Sequence, residues 1–217
     1  MLSMESSILD WIQTNLRTPV LDLLMPAITA LGNGGLIWIV LAAGLLLMPG
    51  HRKAGAAVLA GLALEVVCCN LVLKPLVARV RPCDINTAVQ LLIARPDDFS
   101  FPSGHTGASF AAVSALCASG NRLWIPSLIL AVLIAFSRLY LYVHYLTDIL
   151  AGAVIGIMAG WIGTKLAYAV GAVIGLVGGI KVYQKFSSGD PDTSKTASSW
   201  FGACIFLIVA ATILRSF

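Results

Sequence analysis

An all-α fold, a polytopic bundle of about six membrane-spanning helices, is what this sequence predicts. Three observations predict it. Of 217 residues, 59% are hydrophobic and only 11% charged, too little charge to cover a soluble domain of this length. The apolar residues fall in runs approaching the ~20 residues that a helix needs to cross a bilayer core. The polar residues gather at the ends of those runs, and several of them gather at the same end.

The spans are justified in order. Residues 34–48 form a short first strong span, stopped by Pro49-Gly50. Residues 54–73 form the second, ending at Lys74-Pro75; residues 105–119 and 123–142 form the third and fourth. Residues 145–183 hold one span and then either a continuation or a break around 171–179. Residues 187–199 (SSGDPDTSKTASS) read as a polar loop or linker, and the apolar run 200–217 is long enough to cross or to be re-entrant. Upstream, Ile8, Leu9, Trp11, Ile12 and Leu16 recur at helical spacing between Glu5, Asp10 and Arg17, as in an interfacial helix. Residues 20–31 are apolar but short, with Asp22 and Pro26 inside them, so they are interfacial or half of an extra span. The total lies between five and seven, with six the best fit. The organisation expected is an N-terminal helical region (1–33), a catalytic transmembrane bundle (34–185), a polar linker (186–199) and a C-terminal apolar helix (200–217).

Three polar stretches stand out at the span ends: residues 74–82 (KPLVARVRP), 101–105 (FPSGH) and 137–148 (SRLYLYVHYLTD). Counting spans puts all three on one face of the membrane. His144 and Asp148 are four apart, so on a helix start they share a side. A carboxylate on one ring nitrogen fixes the tautomer, frees the other nitrogen as a nucleophile and stabilises the cation formed on phosphorylation. His105 follows a Pro-Ser-Gly turn where a helix begins, and free backbone N–H groups there suit an anion. Ser103 and Gly104 are candidates to hold phosphoryl oxygens, and His105 to protonate the leaving oxygen. Phosphoryl transfer depends mainly on positioning and charge stabilisation, and Lys74, Arg81 and Arg138 supply a clamp of fixed cations. With no acidic cluster or His/Cys ligand set, neither a metal nor another cofactor is expected.

Singly, each residue has an ordinary explanation, since Lys and Arg near span ends commonly reach back to the interface. Jointly they do not. Two of only three histidines converge with matching cations on one face, and charges near a membrane core are costly. The third, His51, sits in a loop on the opposite face.

These stretches resemble the signature of the type 2 phosphatidic acid phosphatase (PAP2) superfamily: Lys-x6-Arg-Pro, Pro-Ser-Gly-His and Ser-Arg-x5-His-x3-Asp. Here they read Lys74 to Pro82, Pro102 to His105 and Ser137 to Asp148, without departure in identity or spacing. The likeness covers roughly residues 34–170. It implies a helical bundle, a phosphohistidine intermediate on His144, His105 as acid and Asp148 as the orienting group. It also implies Lys74, Arg81, Ser103, Gly104, His105 and Arg138 around the phosphate.

The partner expected is a lipid phosphate, with membrane lipids around the chain. Undecaprenyl diphosphate is favoured over phosphatidic acid or phosphatidylglycerophosphate. A lipid phosphotransferase or a non-catalytic lipid-binding protein is the rival from another class. No basic stripe suits nucleic acid. Arg52, Lys53, Arg122, Lys181, Lys185 and Lys195 lie on the motif-free face, which the positive-inside rule places in the cytoplasm. The site would then face the periplasm or exterior of a bacterial inner membrane. Gly152, Gly156 and Gly160 recur every fourth residue, suiting close helix packing within the bundle, or else a homo-oligomer. Glu65, in the second span, is expected to be protonated or bonded between helices. The apolar stretch 89–94 is expected to lie on the membrane surface and shape lipid entry. The five cysteines fit no metal spacing and predict no disulfide framework, and the N-terminus lacks the basic lead of a cleaved signal peptide.

Overall fold

The structure is a computed structural model, and it describes residues 2–188 and residue 198. Among these residues the regular elements are all helical: α1 (Leu2–Asn15), α2 (Pro19–Leu31), α3 (Leu36–Leu47), α4 (Arg52–Glu65), α5 (Lys74–Val77), α6 (Pro82–Ile85), α7 (Gly104–Ala118), α8 (Trp124–Tyr140) and α9 (Leu146–Ser187). A 3₁₀ turn, Asn33–Gly35, joins α2 to α3, and a π-helical stretch, Val66–Leu73, carries α4 into α5. The apolar run 200–217 and most of the polar linker lie outside the described residues. The chain divides into two compact units, residues 1–167 and 168–217, and the site lies wholly in the first.

This is an integral membrane protein, and its outer surface is correspondingly greasy. Leu71, Leu76, Ile129, Val154 and Met158 are all more than half exposed, an arrangement that suits lipid rather than water. By length and apolarity, Arg52–Ile85 and Leu146–Lys185 can cross a membrane, and the pair Pro19–Leu31 with Asn33–Leu47, bent by 46°, makes a third. The shorter α7 and α8 fall below that length. The six spans expected are therefore not all met among the described residues. α9 runs unbroken through 171–179, where a continuation and a break were both open.

The first unit has two cores. In one, Trp38, Ala42, Ala57, Val58, Ala112, Leu116, Ala131 and Ile134 bring α3, α4, α7 and α8 together. Alanine dominates the contact surfaces, so backbones approach closely where larger side chains would hold them apart. In the other, Leu9, Ile12 and Met25 of α1 and α2 pack against Leu139 to Tyr145. The segment 1–33 is thus not set apart from the bundle. It seats the turn that carries His144.

Gly152, Gly156 and Gly160 pack inside the chain. A Cβ on them would lie 2.6 Å from Ser103 O, 2.3 Å from Gly107 O and 2.3 Å from Ala111 O, so α9 rides directly on the α7 backbone. That face is occupied by α7 within the chain. In the stretch 89–94, Ile93 and Ala94 line the cavity described below. Val89, Leu91, Leu92 and Ile93 are partly buried against the second core.

Candidate active site

Three local structures aim the motif side chains. α5 closes on Ala78 in the left-handed region (φ 47°), with Ala78 N–H donating to Lys74 O at 2.9 Å. That reversal turns Arg79 and Arg81 back under Lys74. α7 opens on Ser103, whose hydroxyl accepts from Thr106 N at 3.5 Å as a helix cap. α8 closes through Tyr142, also left-handed (φ 60°), with Val143 N–H bonding back to Arg138 O at 3.2 Å. Such a conformation is costly for a bulky residue. Here it is held by Tyr142 Oη donating to Asp10 Oδ1 at 2.7 Å. The turn delivers His144 beside Arg138, and α9 begins two residues later.

The products converge on a cavity of about 950 Å³, whose lining includes Lys74, Arg81, Gly104, His105, Arg138 and His144. Its walls continue through Ile39, Leu59, Leu62 and Val66, an apolar extension of the kind an acyl or prenyl chain would occupy.

His144 is 1% exposed and Asp148 0%. Nδ1 of His144 lies 3.5 Å from Asp148 Oδ2, with Ser100 Oγ between them: Ser100 donates to Asp148 Oδ2 at 2.5 Å and lies 3.4 Å from Nδ1. Tyr145 N–H donates to the same carboxylate oxygen at 2.9 Å. His144 Nε2 is 3.2 Å from Arg81 Nη1 on the cavity side. Burial, opposed by Asp148 and aided by the Arg138 and Arg81 cations, holds the His144 pKa well below that of an ordinary histidine. The ring is therefore neutral at physiological pH, the state a nitrogen nucleophile needs.

The three cations differ in how they are held. Arg81 donates to Val143 O at 2.7 Å and Asp98 O at 2.8 Å, and is 2% exposed. Lys74 and Arg81 both grip the Asp98 carboxylate, one oxygen each. Burial pushes the Asp98 pKa up, but these cations outweigh it and hold it at about 2. A carboxylate on two cations occupies the charge position that phosphate oxygens would take, so a phosphate binding here competes with it. Arg138 donates to Thr29 Oγ1 at 2.7 Å, yet its buried Nε has no partner among the described residues. An unpartnered guanidinium N–H beside a cavity calls for an anion.

Ser103 caps α7. Its hydroxyl is fully buried, occupied by Thr106 N and Thr106 Oγ1, and is not among the groups lining the cavity. Gly104 does line the cavity, and a Cβ on it would meet Asn70 Oδ1 at 2.9 Å. Glu65 lines the cavity beside α7. It is 1% exposed, its Oε1 lacks a hydrogen-bond partner among the described residues, and a Cβ at Gly107 would lie 2.4 Å from that oxygen.

Several contributors were not singled out in sequence: Ser100, Asp98, Thr29, Arg79 and Asn33. His105 Nε2 lies 2.9 Å from Asn33 Oδ1, which fixes the ring, and Gly32 packs on the ring edge. A Cβ on Gly32 would lie 2.9 Å from His105 Cδ2 and 3.3 Å from Thr29 O. Gly32→Ala should therefore displace the imidazole and lower kcat by roughly 10-fold or more with little change in melting temperature, since misplacing a catalytic group by ~1 Å can cost ~100-fold. Steady-state kinetics beside a thermal melt would check it; unchanged kcat would contradict the placement of His105. No group of three or more His, Cys, Asp or Glu among the described residues could hold a metal ion.

A helical membrane bundle with two histidines and three cations around one cavity defines a class, the membrane-embedded phosphatase. Comparison with known proteins narrows it. The chain is 36% identical over 121 residues to an undecaprenyl-diphosphatase of Sulfolobus acidocaldarius, covering 55% of this chain and 58% of that protein. It is 31% identical over 171 residues to a lipid A 4'-phosphatase of Bacteroides thetaiotaomicron, covering 72% of this chain and 74% of that protein. The solved structure of the first transmembrane PAP2 type phosphatidylglycerolphosphate phosphatase from Bacillus subtilis matches with a TM-score of 0.63 at 27% identity, covering 78% of this chain and 87% of that one. Separately, a family model described as a domain of unknown function (DUF4134) matches residues 157–217. The chain belongs to the PAP2 superfamily of phosphatases.

Proposed function

We propose that this protein hydrolyses the phosphate of a membrane lipid through a phosphohistidine on His144, without a metal. The observation that carries the reading is the convergence of His144, His105, Lys74, Arg81 and Arg138 on one cavity with an apolar extension. In the first step the Nε2 lone pair of His144 attacks phosphorus and the bond from phosphorus to the leaving oxygen breaks. His105 supplies the proton to that oxygen, and Asp148 offsets the positive charge on the ring. In the second step His105 takes a proton from water as the water oxygen attacks phosphorus. The P–N bond breaks and inorganic phosphate leaves. Lys74, Arg81 and Arg138 hold the equatorial oxygens throughout, with the Gly104 backbone at the start of α7. Asp98 gives up its two cations when phosphate enters.

Undecaprenyl diphosphate is the favoured substrate, supported by the name of the Sulfolobus relative. A phosphomonoester of a glycolipid or glycerolipid is the second reading, favoured by the longer match to the lipid A 4'-phosphatase and by the fold match to the phosphatidylglycerolphosphate phosphatase. By the positive-inside rule, the basic residues of the opposite face support a site facing the periplasm or exterior of an inner membrane.

The test is phosphate release by detergent-purified protein with EDTA present, offering undecaprenyl diphosphate, phosphatidic acid and phosphatidylglycerophosphate in parallel. Release that persists in EDTA supports the mechanism, and the rates rank the substrates. Lipid turnover with little free phosphate would replace hydrolysis with phosphotransfer, and no turnover by folded protein would leave a lipid-binding role.

A further inference from the structure

Behind His144 the charges alternate along a line that none of the three motifs contains. Asp148 Oδ1 accepts from Arg79 Nη1 at 2.6 Å, and Arg79 Nη2 donates to Glu5 Oε2 at 2.6 Å. Glu5 Oε1 in turn accepts from Thr147 N at 3.1 Å and Thr147 Oγ1 at 2.5 Å, the residue next to Asp148. Arg79 Nη1 also donates to Thr147 Oγ1 at 2.7 Å, and its Cζ lies 4.0 Å from the Tyr145 ring centroid. The Arg79 side chain is 19% exposed and that of Glu5 10%, so both ends of this pair are largely shielded. Glu5 is buried on α1, a helix otherwise read as interfacial, and a carboxylate is rarely buried unless paired.

We infer that Arg79 is a positioning residue for the His144–Asp148 pair, and that Glu5 from α1 tunes its charge. The inference rests on His144 being the nucleophile.

Asp148 has two oxygens to place. Ser100 and Tyr145 N–H take Oδ2, the oxygen nearer His144, and Arg79 takes Oδ1. With Arg79 absent, nothing else among the described contacts anchors Oδ1, and the carboxylate is free to rotate away from the ring. Arg79 also offsets part of the Asp148 charge, and Glu5 offsets part of the Arg79 charge. The sequence Glu5, Arg79, Asp148, His144 therefore sets how readily the ring becomes positive, as it must when phosphorylated. A side chain outside the cavity controls one inside it.

Other charged and titratable groups also face His144: Arg138 from α8, Arg81 with Asp98 bound to it, and His105 from α7. All of these stay in place in the variants below, so differences between variants report the Arg79–Glu5 line alone.

The experiment measures kcat and KM against pH for wild type, Arg79→Met, Arg79→Lys and Glu5→Gln, using the panel lipid hydrolysed fastest. Ring protonation removes the nucleophile, so activity falls on the acid side. Arg79→Met removes a cation, raises the His144 pKa and should move the acid limb upward by about half a pH unit or more, as expected for a unit charge a few ångströms away in a partly shielded site. Its kcat should fall roughly 10- to 100-fold with KM within about 2-fold, as for a misplaced catalytic group. Glu5→Gln removes an anion and should move the limb the other way. Arg79→Lys should restore the wild-type limb and part of kcat. A merely structural role would give no opposed shifts. Limbs that stay put or move together, or a loss confined to KM, would overturn the inference. If Arg79→Met fails to fold, Glu5→Gln and Arg79→Lys decide it. An active His144→Ala protein would instead sink the nucleophile assignment itself, which keeps the two failures apart.

Discussion

His144→Ala should abolish phosphate release, with a loss of at least ~1,000-fold in kcat, because knocking out a covalent nucleophile removes the route rather than one stabilising contact. Phosphate binding should survive, since Lys74, Arg81 and Arg138 are anchored independently of the ring: Arg81 on Val143 O and Asp98, Lys74 on Asp98, and Arg138 on Thr29. Competitive inhibition of the wild type by inorganic phosphate, compared with its direct binding to the variant, would separate the two effects. A variant retaining a tenth of wild-type turnover would mean that His144 is not attacked at phosphorus.

Arg138→Leu should show activity and stability moving apart. The guanidinium is 3% exposed and its Nε is unpartnered, so the folded protein carries an unfavourable buried group. Replacing buried ions with apolar side chains is often neutral or stabilising by ~1–4 kcal/mol. The melting temperature should therefore hold or rise. Removing a preorganised donor to transition-state charge typically costs ~100- to 1,000-fold, and kcat/KM should fall by that amount. A destabilised variant with normal kinetics would reverse the assignment and make Arg138 a structural residue. The unsatisfied donor is what a site looks like when stability has been given up for binding.

Much of the site was legible because its residues are rare where they stand. In a chain with 11% charged residues, a lysine, two arginines, two histidines and an aspartate at the ends of apolar runs are conspicuous. Span counting alone set them on one face. Helix bounds were legible within a few residues wherever a breaker marked them, as at Pro49-Gly50 after α3 and Pro102-Ser103 before α7. What escaped depended on contacts between segments far apart in sequence. Glu5 and Arg79 are 74 positions apart, and Asn33 and His105 72; no local pattern pairs them. Glu5 looked like the polar side of an interfacial helix, because periodicity tells which residues share a face but not what that face meets. The cap that Ser103 forms on Thr106 N depends on the turn geometry at the start of α7, which Pro-Ser-Gly-His marks but does not specify. The stretch 89–94 reads locally as a loop at the membrane surface, and its packing against the second core depends on residues distant in sequence, among them Leu9, Met25 and Tyr145. The Gly152, Gly156, Gly160 stripe was legible as a close-packing face, but only the fold names α7 as what packs there.

The central claim is covalent chemistry at His144, and it can be tested by trapping. Wild-type protein would be mixed with lipid substrate carrying ³²P in the phosphate to be released, quenched within a turnover, and digested for peptide mapping. The account predicts label on the peptide containing His144, stable to alkali, lost in mild acid and absent from His144→Ala. Substrate turnover with no labelled histidine, or label on any other residue, would contradict it.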